Sequence, residues 1–134
     1  MLGRADYPIE FIMRCRKRAE RQLKLYDALA KTDGKAAEAF APEFFNTMVL
    51  ALDHYFMHRL RGKEGKDGNP LNEVRMLAAS LLENDGVMTK DNTIKYDPAK
   101  SITGIALGEK IVIDRKTFEA LADGFFDEIA AKFA

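Results

Sequence analysis

The chain has 134 residues, of which 47% are hydrophobic and 31% are charged, and this composition is typical of a folded globular protein. It excludes an intrinsically disordered chain, and a single cysteine excludes a fold held together by internal disulfides. The 21 basic and 21 acidic residues cancel, which excludes a global electrostatic attraction to nucleic acid or to an anionic membrane.

The charges are distributed unevenly along the chain. Residues 1–66 contain 13 basic and 9 acidic side chains, a net charge of +4, whereas residues 67–134 contain 8 and 12, a net charge of −4. We expect these two halves to pair within the fold or across a dimer. The length predicts a single domain over residues 1–134, with one core.

The cellular location is predicted from three further features. Cys15 has no second cysteine to pair with, and the first residues resemble neither a signal peptide nor a transit peptide. No apolar run approaches the ~18 residues that a membrane span needs. The sequence therefore predicts a cytoplasmic protein with no membrane partner.

The first predicted helix covers about residues 8–31. Pro8 suits its first turn, where the missing N–H of proline costs nothing, and Gly34 suits a cap after its end. One stripe of the helix is apolar and should face the core, while the opposite side is basic. We call this side the basic ridge, which consists of Arg14, Lys17, Arg18, Arg21 and Lys24, with Arg16 at its border.

The second predicted helix, about residues 42–61, organises the chain because it holds the longest apolar run and both histidines. A short helical turn over residues 35–41 should precede it. The helix is apolar on more than one side, which is typical of the buried middle of a bundle or of a dimer interface. Its remaining polar stripe contains Glu43, Thr47, His54 and His58.

The third predicted helix covers residues 70–84. Asn69 is a suitable N-cap and Pro70 a suitable first residue, and Gly86 is the expected terminator. In the polar connection that follows, residues 93–96 are a candidate short edge strand that ends at Asp97-Pro98.

The last third of the chain changes its pattern. Two β-favouring runs surround Gly108-Glu109, which predicts a β-hairpin over about residues 101–114. Asp114 then caps a last helix, residues 115–133, whose outer face is acidic. The predicted fold is mainly α, in the α+β sense, with a four-helix bundle-like core and a β-hairpin inserted before the C-terminal helix.

The histidine pair suggests a divalent transition metal as cofactor. His54 and His58 stand four residues apart, so a continuous helix would place both imidazoles on one face. The glutamates of the metalloprotease and di-iron motifs are missing. The spacing loosely resembles the HxxxH helices of hemerythrin-like and DinB-like bundles, whose further histidines are absent here. The hypothesis therefore takes Glu43 or Glu73 as a third ligand; the alternative is a solvated pair near a helix end.

The glycine-rich loop before the third helix is a candidate anion site. Glycines recur at every third residue from Gly62 to Gly68, and the loop precedes a helix N-terminus. The basic side chains that would hold the anion are Arg61, Lys63 and Lys66. The spacing is not that of a Walker loop, and the strand that a KH motif needs is missing. A flexible turn between two capped helices is the alternative that we favour.

Two segments carry a resemblance. The sequence EGKDGNPLNEVR, residues 64–75, and the closing GEKIVIDRKTFEALADGFFDEI are similar to small uncharacterised bacterial proteins. The resemblance implies a bacterial cytosolic protein and carries no activity.

Three functions remain open at this point. We favour a non-catalytic interaction domain that forms a homodimer, because the second helix is apolar on several sides. The alternatives are a metal-binding bundle, and phosphate or nucleic-acid binding through the basic ridge and the glycine loop. Nucleic acid is not favoured, since no aromatic residues interleave the basic ridge. No catalytic residue is predicted, because no nucleophile stands beside a base in any recognisable pattern.

Overall fold

The computed structural model describes residues 3–134, which form helices joined by irregular segments. The helices are α1 (Ile9–Thr32), α2 (Gly34–Tyr55), α3 (Arg61–Glu64), α4 (Pro70–Glu83) and α5 (Arg115–Phe133), and Pro98–Lys100 adds a 3₁₀ turn. The prediction of a mainly α protein is confirmed. Within this part of the chain, no helix combines the length and the apolar character that a membrane crossing requires.

The ends of α4 and α5 follow from local capping. Asn69 Oδ1 accepts hydrogen bonds from the amides of Leu71 and Asn72, at 2.9 and 3.2 Å. Asp114 Oδ1 accepts one from the amide of Thr117 at 2.7 Å. These side chains satisfy amides that have no partner inside the helix, so the predicted N-caps are confirmed.

Helix α2 differs from its prediction at both ends. It begins at Gly34 and absorbs the turn expected over residues 35–41, so that Pro42 lies inside the helix. It starts there because Asp33 Oδ1 accepts a hydrogen bond from the amide of Ala36 at 3.0 Å. The helix then ends at Tyr55, six residues earlier than the predicted end.

The early end of α2 comes from backbone contacts with the start of the chain. In a continuing helix, the amide of Leu60 would bond to Phe56. Instead, the Leu60 amide donates to the carbonyl of Arg4 at 2.8 Å, and the Arg4 amide donates to the carbonyl of His58 at 2.6 Å. Residues 58–60 are therefore held beside the N-terminal segment and leave the helix axis.

The predicted β-hairpin over residues 101–114 is wrong. No strand occurs among residues 3–134, and residues 108–111 bond instead to the connection that follows α4. The amide of Met88 donates to Glu109, and the amide of Ile111 donates to Gly86, at 2.9 and 2.8 Å. These backbone groups therefore have partners outside the expected hairpin.

The four long helices enclose the core. Helix α1 packs on α2 and α5, α4 packs on the same two helices, and α2 also contacts α5. The predicted apolar stripe of α1 is confirmed, since Ile12, Cys15, Ala19 and Leu23 are buried. Burial raises the pKa of the Cys15 thiol, so this cysteine behaves as a small apolar side chain.

The oppositely charged halves of the sequence pair in part within the fold. Arg16 donates to Asp127 at 2.9 Å and to Asp123 at 3.4 Å, which joins α1 to the acidic face of α5. Arg115 of α5 contacts Asp27 of α1 at 2.9 Å. The acidic face of the last helix is therefore largely engaged inside the molecule.

Candidate functional site

The segment between α2 and α4 folds around a buried group of charges that we call the charge cluster: Asp53, Arg59, Glu64, Asn72 and Arg75. Glu64 is wholly buried at its centre. Its carboxylate accepts hydrogen bonds from Arg59 Nε at 2.8 Å, Arg75 Nη2 at 2.6 Å and Asn72 Nδ2 at 2.7 Å. A second bond from Arg75 Nε, at 3.1 Å, makes that pair bidentate.

Arg59 joins the end of α2 to the beginning of α4. Its Nη1 donates to the carbonyl of Phe56 at 3.1 Å, and its Nη2 donates to Asp53 Oδ1 at 3.0 Å and to the carbonyl of Leu71 at 3.2 Å. A buried charge is costly unless its hydrogen bonds are made, and these contacts meet that requirement. The side chain therefore caps one helix and fixes the next.

The ionisation of Glu64 follows from these contacts. Burial alone would raise the pKa of its carboxyl group, but the hydrogen bonds from Arg75 and the charges of Arg59 and Arg75 hold the pKa below its usual value. The carboxylate is therefore charged at neutral pH.

An open groove of about 400 Å³ lies beside the charge cluster. We call it the arginine groove, and its walls include Met57, His58, Arg61, Gly62 and Arg75. Arg61 Nη2 donates to Thr93 Oγ1 at 2.9 Å. Its Nε atom is buried and has no acceptor among residues 3–134. The groove therefore contains cationic donors whose hydrogen-bonding capacity is only partly used.

A second groove, of about 490 Å³, lies between α2 and α4. We call it the apolar groove; its walls include Thr47, Leu50, Ala51, Met57, Ala78 and Leu82, with Asp53 and His54 at its edge. Leu82 is 71% exposed and Met57 is 48% exposed. Met57 lines both grooves, so the two are neighbours.

The two histidines of the metal hypothesis do not share one helix. His54 is exposed on α2 and lines the apolar groove, whereas His58 lies beyond the end of the helix and lines the arginine groove. The helical spacing on which the hypothesis depends therefore does not apply. Glu43 lies eleven residues before His54, which is about 16 Å along the helix axis.

The fourth residue of the metal hypothesis has a different role. Glu73 is buried, and its carboxylate accepts hydrogen bonds from the amides of Ile102 and Thr103, each at 2.9 Å, and from Thr103 Oγ1 at 2.6 Å. It thus anchors the segment before α5. Across residues 3–134 there is no group of three or more His, Cys, Asp or Glu side chains arranged to hold a metal ion.

The three basic side chains of the predicted anion site do not converge. Only Arg61 lines the arginine groove. Lys63 Nζ donates to the carbonyl of Ala5 and lies 5.5 Å from the ring centroid of Phe133, and Lys66 is exposed. The glycine loop therefore does not form the predicted cradle.

The glycine loop is fixed by contacts, unlike the flexible turn that we favoured from the sequence. Asn69 Nδ2 donates to the carbonyl of Glu64 at 2.8 Å, and the amide of Gly68 donates to Asn72 Oδ1 at 3.0 Å. Gly68 has a φ of +88°, and a Cβ atom there would lie 2.4 Å from the carbonyl oxygen of Lys95. Glycine is therefore required at this position both for its backbone conformation and for the close approach.

The residue patterns in the sequence indicated His58 and Arg61 beside this site. They did not indicate Arg59, Asn72 or Arg75. Asn72 and Arg75 lie three residues apart on α4, but Arg59 lies outside that helix, and no spacing rule links it to them. One feature could have indicated buried polar contacts here. The polar residues Asn72 and Glu73 directly follow Leu71 in a helix that is buried on most sides.

Comparisons of the chain with protein families, with curated proteins and with solved structures found no match. The geometry of the two grooves therefore carries the argument about function.

Proposed function

We propose that this chain is a non-catalytic assembly domain that pairs with a second copy of itself through the apolar groove. The observation that carries the proposal is the exposure of Leu82 and Met57 beside the partly buried Leu50 and Ala51. Apolar surface gains about 25 cal/mol for each Å² removed from water. Contiguous exposed apolar surface is a common mark of a protein interface.

A second copy suits this groove because the groove contains few charges. Asp53, at its edge, is paired with Arg59, and His54 is the other titratable side chain in its wall. In a twofold dimer both copies use the same surface patch, so a face with a strong charge of one sign would repel its own copy. The basic ridge would be penalised in this way, whereas the apolar groove would not.

The shape of the face also supports a helical contact. On α2, the residues that line the groove run from Thr47 to His54, over eight residues or about two turns. Leu82 protrudes from α4 beside it. Two copies would bring two α2–α4 pairs together, so the side chain that protrudes from one copy would enter the groove of the other.

The cellular setting belongs to the same proposal. The single cysteine is compatible with a reducing compartment, and the sequence resemblance is to bacterial proteins. We therefore place this assembly domain in a bacterial cytoplasm.

Light scattering after gel filtration tests the proposal. At micromolar concentration, we expect the wild-type particle to have twice the chain mass of 15.1 kDa. Leu82→Lys should weaken self-association at least about tenfold, because a charge would enter an apolar interface. The matched control is Leu25→Lys, which changes a leucine that is 57% exposed on α1.

Two results would refute this function. One is a wild-type protein that stays monomeric up to high micromolar concentration. The other is a dimer on which Leu82→Lys and Leu25→Lys have the same effect, while circular dichroism shows that both variants are folded.

A further inference from the structure

We propose that the arginine groove binds an oxyanion of the phosphate or phosphate-monoester class, with Arg61 and Arg75 as the ligand-binding residues. The proposal goes beyond self-assembly and does not depend on it, because the residues that carry it lie outside the apolar groove.

Arg61 provides the first observation. Its Nε is buried without an acceptor among residues 3–134, although buried polar groups are almost always hydrogen-bonded. The guanidinium is held in place, because Nη2 donates to Thr93 Oγ1 and this hydroxyl group donates to Asp91 Oδ1 at 2.6 Å. Arg61 is therefore an oriented cation with an unused donor.

Arg75 provides the second observation. Its Nε and Nη2 both donate to Glu64, which engages one edge of the guanidinium and fixes its plane. Nη1 lies on the other edge, for which the described residues provide no hydrogen bond, and the side chain is 22% exposed in the groove wall. Because Glu64 is buried and immobile, this donor is preorganised before any ligand arrives.

Carboxylates near the groove would repel a bound anion unless their charges are compensated. Glu64 and Asp53 are engaged by the arginines of the charge cluster. Asp91 accepts hydrogen bonds from Thr93, which lower its pKa, and the charges of Arg61 and Arg75 lower that pKa further. Asp91 is thus a nearby negative charge that opposes an anion. The groove attracts an anion through its unused donors rather than through a large net charge.

The chemistry of these donors favours phosphate over carboxylate. A single guanidinium fork satisfies the two oxygens of a carboxylate, as Arg75 does for Glu64. Phosphate has a further oxygen and accepts from two guanidinium groups at once. The volume of about 400 Å³ lies within the range of small-ligand sites. Met57 in the wall offers an apolar contact to a short organic group.

Calorimetric titration with inorganic phosphate at low ionic strength tests the proposal. We expect Arg61→Gln to weaken binding at least tenfold, and Arg61→Lys to weaken it less, because lysine keeps the charge and loses the fork. The matched control is Arg21→Gln, which removes an exposed arginine of the basic ridge and should change the affinity less than twofold. Thermal melting shows whether each variant is folded.

Asp91→Asn gives a result that a purely structural role would not produce. The asparagine oxygen still accepts the hydrogen bonds from Thr93, but the opposing negative charge is gone. We expect phosphate to bind severalfold more tightly to this variant. Unchanged or weaker binding by a folded Asp91→Asn protein would count against the proposed placement of the anion.

The choice of titrant identifies the ligand class. Glycerol phosphate that binds at least as tightly as inorganic phosphate indicates a phosphorylated small molecule, and the reverse order indicates free phosphate. Acetate that binds as tightly as phosphate would overturn the proposed class. Wild-type protein that does not bind millimolar phosphate, or that binds it no better than Arg61→Gln, would overturn the site.

Discussion

The arginine groove and the apolar groove meet at Met57, but different forces hold their walls. The arginine groove rests on the charge cluster, in which Arg59 alone makes hydrogen bonds to three carbonyl or carboxylate groups besides Glu64. The apolar groove is made from side chains on two packed helices, of which Leu82 is mostly in water. The first groove presents hydrogen-bond donors oriented by buried ion pairs, and the second presents apolar side chains.

This difference indicates which property each groove controls. Hydrophobic attraction has no direction, so changes in the apolar groove should alter association with little effect on the fold. Hydrogen bonds to buried charges are directional and costly to lose, so changes below the arginine groove should alter stability.

Glu64→Ala should cause the largest loss of stability. The substitution removes the buried carboxylate shared by Arg59 and Arg75, so that Arg59 keeps only Asp53 as an ion-pair partner, and breaking a buried ion pair costs about 3–5 kcal/mol. Urea unfolding measures the change. Glu119→Ala is the control, because its exposed pair with Arg115 should contribute less than about 1 kcal/mol. Equal losses for the two variants would show that the charge cluster is not a structural unit.

Gly68→Ala should also destabilise the fold, by about 1–3 kcal/mol or more, because the backbone has a positive φ and the new Cβ would meet the Lys95 carbonyl. Gly62→Ala is the matched control in the same loop, since no atom lies within 4 Å of its added Cβ. We expect that control to be neutral or slightly stabilising, because Gly62 lies in the short helix α3. A loop that tolerates both changes equally would not be rigid.

Stability should fall with acid in a way that depends on Glu64. Its folded pKa lies below the ordinary value of 4.5, so the unfolded chain binds more protons in acid. The contribution is complete above that ordinary value and is lost as the pH falls through the folded pKa. Glu64→Gln should reduce the slope of the unfolding free energy against pH by at most about 1.4 kcal/mol per pH unit. Unfolding free energies measured at several acidic pH values give this slope.

Two comparisons sharpen this pH experiment. Leu82→Lys should keep the wild-type slope, because the change removes no carboxylate and Leu82 lies outside the charge cluster. Glu64→Gln should retain part of the slope, because four other carboxylates also have lowered pKa values: Asp27, Asp67, Asp91 and Asp114. A Glu64→Gln slope identical to wild type would show that Glu64 is not ionised as described.

His54→Ala should have the smallest effect of these substitutions. We expect this variant to retain as much metal as the wild-type protein. His54 lies on α2 and His58 beyond its end, and they line different grooves, so the helical spacing does not hold them as a pair. Elemental analysis after zinc loading and dialysis measures the retained metal. One zinc per wild-type chain that is lost in His54→Ala would restore the metal hypothesis.

Periodicity and capping were sufficient to predict α4 and α5, because these signals are local. Periodicity alone predicted α1, since Gly34 begins α2 and does not cap α1. The end of α2 was not predictable in this way, since it depends on a backbone contact between Arg4 and Leu60 that no short spacing reveals. The hairpin failed for a related reason. Ile111 and Ile113 are buried around an exposed Val112, so the alternation indicated burial correctly but not which segment would accept the hydrogen bonds.

The sequence indicated only part of the candidate site. His58 and Arg61 stood out through residue type and through the neighbouring loop, and both line the arginine groove. Arg75 and Arg59 did not stand out, because a buried ion pair joins residues whose separation in the chain has no pattern. Glu73 was predicted as a metal ligand because its actual partners could not be recognised in the sequence. These partners are amides about thirty positions further along the chain.

The packing of α1 against α5 has a consequence for synthesis on the ribosome. Arg16 bonds to Asp127, 111 positions later, so α1 emerges long before the helix that covers it. Until then, only α2 is available to pack on the stripe around Ile12. A nascent chain stalled before Arg115 would therefore expose Phe45 and its neighbours to chaperones, and the core would close only after the 19 residues of α5 have been made.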